Sequence, residues 1–155
     1  MHTYASLCGL LHADHRLPSL DYEALLRASM KLTRNVKELE KMFRLAVFNV
    51  FVHNRDDHSK NFAYLMQSDG TWKTAPAYDL TFSSGSGGEQ SMTVMGEGKA
   101  PGKKHLLELA KKFDIKHAQA IIDEVQDGLS RWSEVADEAG VSSGTAKQIG
   151  KVIMS

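Results

Sequence analysis

One stretch of the chain, positions 36–52, most constrains the fold, because it is apolar on nearly every side of a helix. Asn35 precedes it as a candidate N-cap, and Glu38, three residues later, completes the pattern of a capping box. The apolar residues that follow have helical spacing: Leu39, Met42, Phe43, Ala46, Val47, Val50 and Phe51 on one face, and Leu45, Phe48 and Val52 on the other sides. A helix that is apolar nearly all round is a buried one. The pattern therefore predicts a central helix around which the other elements pack.

The composition is that of one globular domain and argues against several classes of protein. The chain has 155 residues, 42% hydrophobic and 25% charged, with no formal net charge, so we predict a single domain over residues 1–155. The balanced charge argues against a strongly basic nucleic-acid binder and an acidic tail protein. The lone Cys8 cannot form an intrachain disulfide, and no apolar run approaches the ~18 residues of a membrane span. We therefore expect a soluble, cytoplasmic protein.

The regions on either side of the central helix are also predicted to be helical. Apolar spacing over positions 4–11 predicts a helix that begins almost at Met1, and a second helix follows with Ser19 or Asp21 as its cap. After position 102 we predict a short helix over 106–113 and a long one from Asp114 to a stop at Gly140. A short terminal helix is predicted over about 145–154.

One β-hairpin interrupts this helical pattern. Residues 62–66 and 72–74 alternate in polarity on either side of Ser68-Asp69-Gly70, which is a strong signal for a hairpin. The glycine-rich stretch 83–102 is interpreted as a loop or a loose hairpin, with a candidate strand at 91–95. The predicted fold class is mainly α, with one small β-hairpin inserted after the central helix.

Polar side chains cluster where the central helix ends and the hairpin begins. Asp56 and Asn61 lie in one loop, and Asp79 follows directly after the hairpin. Because a hairpin brings its two ends together, we expect Asp79 to lie beside that loop. Mg²⁺ prefers hard oxygen ligands, and phosphoryl transfer needs such a metal and a carboxylate that positions the acceptor hydroxyl. The Asp-to-Asn spacing is also that of the catalytic loop of protein kinases.

Two segments resemble a known family. The run FNVFVHNRDDHSKNF over 48–62 is similar to the catalytic segment of HipA-like serine/threonine kinases, and APAYDL over 75–80 is similar to their metal-binding segment. The similarity continues through SMTVMG at 91–96 and the terminal helices to Trp132 and Gly140. The resemblance implies the helical C-terminal lobe of a protein-kinase-like, HipA-like fold.

The resemblance also implies roles for individual residues. Asp56 would be the catalytic aspartate, and Asn61 and Asp79 would hold Mg²⁺ on the phosphates of ATP. Lys60 would assist with phosphate charge, both in catalysis and in nucleotide binding. His58 and Asn54 would hold the shape of the loop. The implied reaction transfers the ATP γ-phosphoryl group to a Ser or Thr hydroxyl of a protein substrate.

The chain departs from a complete kinase in one respect. Only 55 residues precede Asp56, and they contain no Gly-rich loop and no strand lysine to hold the phosphates. We therefore expect the C-terminal lobe alone, nearly inactive in isolation. The resemblance implies a bacterial toxin–antitoxin setting, translation-related targets and an antitoxin-like DNA-binding partner. The chain would then contact nucleic acid only through that partner. The alternative is a non-catalytic, truncated lobe that serves as an interaction module for such a partner.

Two further patterns have simpler interpretations. The histidines and aspartates of His53–His58 could form a transition-metal site, but their spacing fits no ligand pattern well. A basic stretch over 99–116 could contact phosphate or nucleic acid, although a solvated surface is the favoured interpretation.

Overall fold

The structure, a computed structural model, describes residues 2–3 and 20–154. These residues form six α-helices, which are α1 Tyr22–Thr33, α2 Val36–Phe51, α3 Lys103–Lys112, α4 Ala118–Ser130, α5 Trp132–Glu138 and α6 Ser143–Ile153. They also form three strands, β1 His2–Thr3, β2 Ala63–Met66 and β3 Trp72–Thr74, and a short 3-10 helix at Ser59–Asn61. The mainly α architecture with an inserted hairpin is confirmed.

The helix α2 is central, as its apolar pattern predicts. It contacts α1, α3, α4 and β3, because nearly every side of it can be buried against apolar neighbours. The largest fully buried side chains come from these elements and from the segments between them: Tyr22, Tyr64, Phe43, Phe62, Leu25, Leu26, Leu39, Met92, Leu106, Leu109, Ile122 and Val47.

The start of α2 differs in part from the predicted capping box. The Asn35 side chain accepts the backbone N–H of Lys37 at 2.9 Å, as a cap should. Glu38 does not reach back to the cap. Its carboxylate is buried and accepts both the backbone N–H of Thr74, at 2.8 Å, and the Thr74 hydroxyl, at 2.5 Å. Glu38 therefore ties the central helix to β3, from which the chain continues to Asp79.

The hairpin pairs in antiparallel register, with Tyr64 opposite Thr74 and Met66 opposite Trp72. A third strand, β1, adds to its outer side and pairs antiparallel with β2. The prediction that helix begins almost at Met1 is therefore wrong for residues 2–3. A two-residue strand cannot be read from its own pattern, because the pairing partner lies far along the chain. The helix predicted over 4–11 and the candidate cap Ser19 lie outside the described residues.

The side chain of Asp21 both caps α1 and attaches the segment after the hairpin. One oxygen accepts the N–H of Glu23 at 2.7 Å, and the other accepts the Thr93 hydroxyl at 2.7 Å and the Gly96 N–H at 2.8 Å. Around Gly96, Val94 and Glu97 exchange backbone hydrogen bonds. The stretch 91–97 is thus a tight reversal with isolated bridges, as in the predicted loose hairpin, and the candidate strand at 91–95 does not form.

Asp114 ends a helix where the sequence pattern predicts that it begins one. Its φ is +53°, and the N–H of Ile115 donates to the Ala110 carbonyl at 3.0 Å while that of Asp114 donates to Lys111. These bonds form a Schellman motif that stops α3. The cap of α4 is His117 instead. An aspartate between two helices suits either role, and only the backbone conformation decides between them.

The long helix predicted up to Gly140 is two helices, α4 and α5, joined at Arg131. Trp132 begins α5 and donates its indole N–H to the Ala146 carbonyl of α6 at 2.8 Å. The apolar residues keep their helical spacing across Arg131, so periodicity alone does not reveal the break between α4 and α5. The stop at Gly140 is confirmed, because φ there is +70°. None of the described helices is long and apolar enough to cross a membrane.

We expect Glu38→Ala to lower the free energy of unfolding by roughly 2 kcal/mol, because it leaves the Thr74 N–H without its charged acceptor. Glu40→Ala, a half-buried position on the same helix, is the matched control and should change stability by less than about 0.5 kcal/mol. Urea unfolding measures both. Equal losses in the two variants would contradict this role of Glu38.

Candidate functional site

The polar loop leaves the central helix through a tight left-handed turn. His53 has a φ of +54°. The N–H of Asn54 donates to the Asn49 carbonyl at 2.9 Å, and the N–H of His53 donates to Val50 at 3.4 Å. These are the two hydrogen bonds of a Schellman motif. The start of the loop is therefore determined by how the helix ends.

Exposed and buried residues alternate along the loop. Asp56 and Lys60 are exposed, whereas Asp57, Ser59 and Asn61 are buried. The Asp56 side chain is 63% exposed, so its carboxylate is open to solvent. The loop thus presents a carboxylate and an ammonium group outward, while the buried Asp57 between them attaches the loop to the rest of the protein.

Asn61 lies at the end of the loop and is only 8% exposed. Its Nδ2 donates to the backbone carbonyl of Asp56 at 3.0 Å. Among the residues that the structure describes, none donates a hydrogen bond to its Oδ1. The amide nitrogen of Asn61 is therefore engaged within the loop, and the amide oxygen remains available as a ligand.

After the hairpin the chain returns to the same loop. The Nδ2 of Asn54 donates to the Asp79 carbonyl at 3.4 Å, and the Tyr78 hydroxyl donates to the Lys60 carbonyl. Asp79 has a φ of +55° and an exposed side chain, and Asp is among the residues that tolerate this left-handed conformation best. The expected approach of the Asp79 segment to the loop is therefore observed. Within the described ranges no ion pair engages the Asp79 carboxylate.

Asp57 has a structural role that the sequence pattern did not reveal. It is fully buried, and its carboxylate accepts the Tyr22 hydroxyl at 2.6 Å, the Met92 N–H at 3.2 Å and the Gln90 side-chain amide at 3.4 Å. A buried charge is costly unless it is hydrogen-bonded, and these donors supply that compensation. The only sequence signal for this was the adjacent pair of aspartates, of which one can face outward and the other inward.

Burial also shifts the pKa values of Asp57 and of Tyr22, the tyrosine that donates to it. It raises the pKa of the Asp57 carboxyl from 3.8 to about 6, although the hydrogen bonds from Tyr22 and Met92 act in the opposite direction. Burial and the neighbouring charge of Asp57 raise the pKa of the Tyr22 hydroxyl well above its ordinary value. Tyr22 is therefore the donor in this hydrogen bond.

Asn54 is buried, in agreement with the expectation that it holds the shape of the loop. Besides the Asp79 carbonyl, its Nδ2 donates to the Asn49 side chain at 3.1 Å, and Asn49 in turn donates to the Tyr22 hydroxyl at 2.9 Å. His58 is half-buried, and its Nε2 is 3.9 Å from the Asp56 carboxylate. Its Nδ1 is buried and has no partner among the described residues.

Arg55 attaches the glycine-rich segment to the loop. Its guanidinium donates to the Gly88 carbonyl, and its own carbonyl accepts the N–H and hydroxyl of Ser91. A Cβ on Gly85 would lie 2.8 Å from the Arg55 Cβ and would also clash with the Glu89 carbonyl oxygen. Glycine at position 85 therefore permits close backbone packing against the loop.

The structure also bears on the two further patterns of the sequence. Within residues 2–3 and 20–154, no group of three or more His, Cys, Asp or Glu is placed to hold a metal ion. Four lysines of the basic stretch lie within 4.0 Å of acidic side chains: Lys99, Lys103, Lys112 and Lys116. This supports the interpretation of that stretch as an ordinary solvated surface.

The chain matches the model of a known protein family. The family model described as HipA-like C-terminal domain matches residues 1–132. The matched region contains Asp56, Asn61 and Asp79, and it ends at Trp132, where α5 begins. A comparison with curated proteins gave no match.

The raised pKa of Asp57 predicts a pH-dependent stability. Because the native carboxyl binds its proton more tightly than the unfolded one, its contribution is fully present below about pH 4 and is lost as the pH rises through about 6. A pKa difference of this size corresponds to about 3 kcal/mol. Wild type should therefore lose about that much stability relative to Asp57→Asn between pH 4 and pH 7. Urea unfolding of both proteins across this range measures it, and parallel pH profiles would contradict it.

Proposed function

The chain belongs to the HipA-like C-terminal domain family, and we propose that it supplies the catalytic loop and the Mg²⁺ ligands of a serine/threonine protein kinase. The observation that carries the proposal is the meeting of the Asp56–Asn61 loop with the Asp79 segment. These two segments hold two exposed carboxylates, and one amide oxygen to which none of the described residues donates a hydrogen bond. Oxygen donors of these types suit Mg²⁺.

Asn61 and Asp79 are the proposed metal ligands. The engaged Nδ2 of Asn61 limits rotation of its amide group, and the Asp79 carboxylate has no competing cation among the described residues. When bound, Mg²⁺ would neutralise charge on the phosphates of ATP. Lys60, exposed on the same loop, would add a positive charge near those phosphates.

Asp56 is the proposed catalytic residue. Its exposed carboxylate can accept a hydrogen bond from the Ser or Thr hydroxyl of a protein substrate, orient its oxygen and take its proton as transfer proceeds. The hydrogen bond from Asn61 to the Asp56 carbonyl holds the loop backbone at that point. A translation-related substrate, an antitoxin-like DNA-binding partner and a cytoplasmic toxin–antitoxin setting remain part of the proposal through the family resemblance.

We expect Asp79→Asn to weaken Mg²⁺-dependent ATP binding by at least about ten-fold, because it removes an anionic ligand. Asparagine tolerates the left-handed backbone at position 79, so the variant removes charge without adding strain. Asp114→Asn is the matched control, since Asp114 is also exposed and has a φ of +53°. Calorimetric titration of ATP with and without Mg²⁺ measures the effect.

Two results would contradict the metal assignment: unchanged affinity in Asp79→Asn, or an equal loss in Asp114→Asn. If wild type binds no Mg²⁺ and ATP, the kinase assignment fails for this chain. The alternative of a non-catalytic interaction module would then be preferred.

Substitution of Asp56 should have a different signature. In a kinase reconstituted by joining this chain to an N-terminal HipA-like lobe, Asp56→Asn should leave Mg²⁺-dependent ATP affinity within about two-fold but lower phosphoryl transfer by about 10²–10⁴-fold. Transfer is measured with radiolabelled ATP. Full transfer activity in the variant would show that Asp56 has no catalytic role.

A further inference from the structure

A chain of buried hydrogen bonds joins the two segments of the proposed site through helix α1. It runs from the Asp57 carboxylate to the Tyr22 hydroxyl, then to Asn49, and from there to Asn54. The four residues are between 0% and 2% exposed. The last member, Asn54, donates to the backbone carbonyl of Asp79.

The ends of this chain lie next to the residues that the proposed function requires. Asp57 directly follows Asp56 along the backbone, and Asn54 contacts Asp79 itself. Asn49 lies in the last turn of α2, and Tyr22 is the first residue of α1. The network therefore connects the loop and the metal-binding segment to two helices of the core.

Tyr22 occupies the centre of this network. Its hydroxyl donates to Asp57 and accepts from Asn49, so it satisfies both neighbours at once. Its ring packs edge-on against Phe62, with ring centroids 5.8 Å apart. Because buried side chains in a core have few alternative rotamers, the hydroxyl is held at one position. A loop attached to such a hydroxyl is held at one position as well.

We propose that Tyr22, Asp57, Asn49 and Asn54 are positioning residues that set the position of the Asp56 loop relative to the Asp79 segment. The inference rests on the proposed function, because the expected effect of these four residues is the correct placement of the Mg²⁺ ligands. None of the four needs to touch ATP or the protein substrate. Their role is to keep two segments, which are 25 residues apart in sequence at Asn54 and Asp79, in register with each other.

Tyr22→Phe tests this, because it removes one oxygen atom and keeps the packed ring. The matched control is Tyr64→Phe. Tyr64 is also fully buried, and its hydroxyl also makes a buried hydrogen bond, at 2.7 Å, to Ser29 of the same helix α1. Ser29 lies about two turns farther along α1 than Tyr22. Both variants lose a buried hydroxyl, but only one of them breaks the network.

The first measurement is amide hydrogen exchange, which requires no nucleotide. Tyr22→Phe should raise the exchange rates of the Met92 N–H, bonded to Asp57, and the Ser83 N–H, bonded to His53, at least about ten-fold more than Tyr64→Phe does. Equal changes in the two variants at these amides would overturn the proposal.

The second measurement is the Mg²⁺-dependent affinity for ATP. Tyr22→Phe should weaken it at least about five-fold, with Tyr64→Phe unchanged. Asn49→Leu should weaken it similarly, and the double variant with Tyr22→Phe should be no weaker than the weaker single variant, since both break one network. If Asp79→Asn weakens binding but Tyr22→Phe behaves like Tyr64→Phe, only the positioning proposal fails. If Asp79→Asn has no effect, the proposed function itself fails.

Discussion

The hydrogen bond between the Tyr22 hydroxyl and the Asp57 carboxylate is the interaction on which the arrangement of the loop depends. It places a carboxylate inside the protein, which is unfavourable unless donors surround it. The Tyr22 hydroxyl, the Met92 N–H and the Gln90 amide provide those donors. Because they come from α1 and from the segment after the hairpin, satisfying one buried charge brings together three distant parts of the chain.

This arrangement explains how a short loop can be polar and still well held. The buried Asp57 and Asn61 make defined hydrogen bonds, and the exposed Asp56 and Lys60 face solvent. The loop is held at its start by the Schellman turn of α2 and at its end by the bond from Asn61 to the Asp56 carbonyl. Under the proposed function such support matters, because small displacements in a phosphoryl-transfer site are costly. The buried Asp57 thus holds the backbone next to the exposed Asp56.

Much of the fold could be predicted from the sequence, because its strongest signals are local. The apolar periodicity of α2, the Asp69-Gly70 turn and the stop at Gly140 each depend on residues close to one another along the chain. Predictions failed where one residue type suits two local roles. Asp114 ends a helix instead of starting one, and Glu38 bonds to Thr74 instead of to its own helix cap. The strand β1 was missed because its partner is about 60 residues away.

The sequence by itself determined the mainly helical class, through its apolar periodicity, and the family, through the resemblance of two segments. It also supplied the residues proposed for chemistry. It also predicted that the hairpin would return Asp79 to the loop, since a hairpin of known length has adjacent ends. Only the tertiary structure decided which of two adjacent aspartates is buried and which donors compensate its charge. Those donors come from positions 22, 90 and 92, and the pairing of groups so far apart depends on how helices pack rather than on any local pattern.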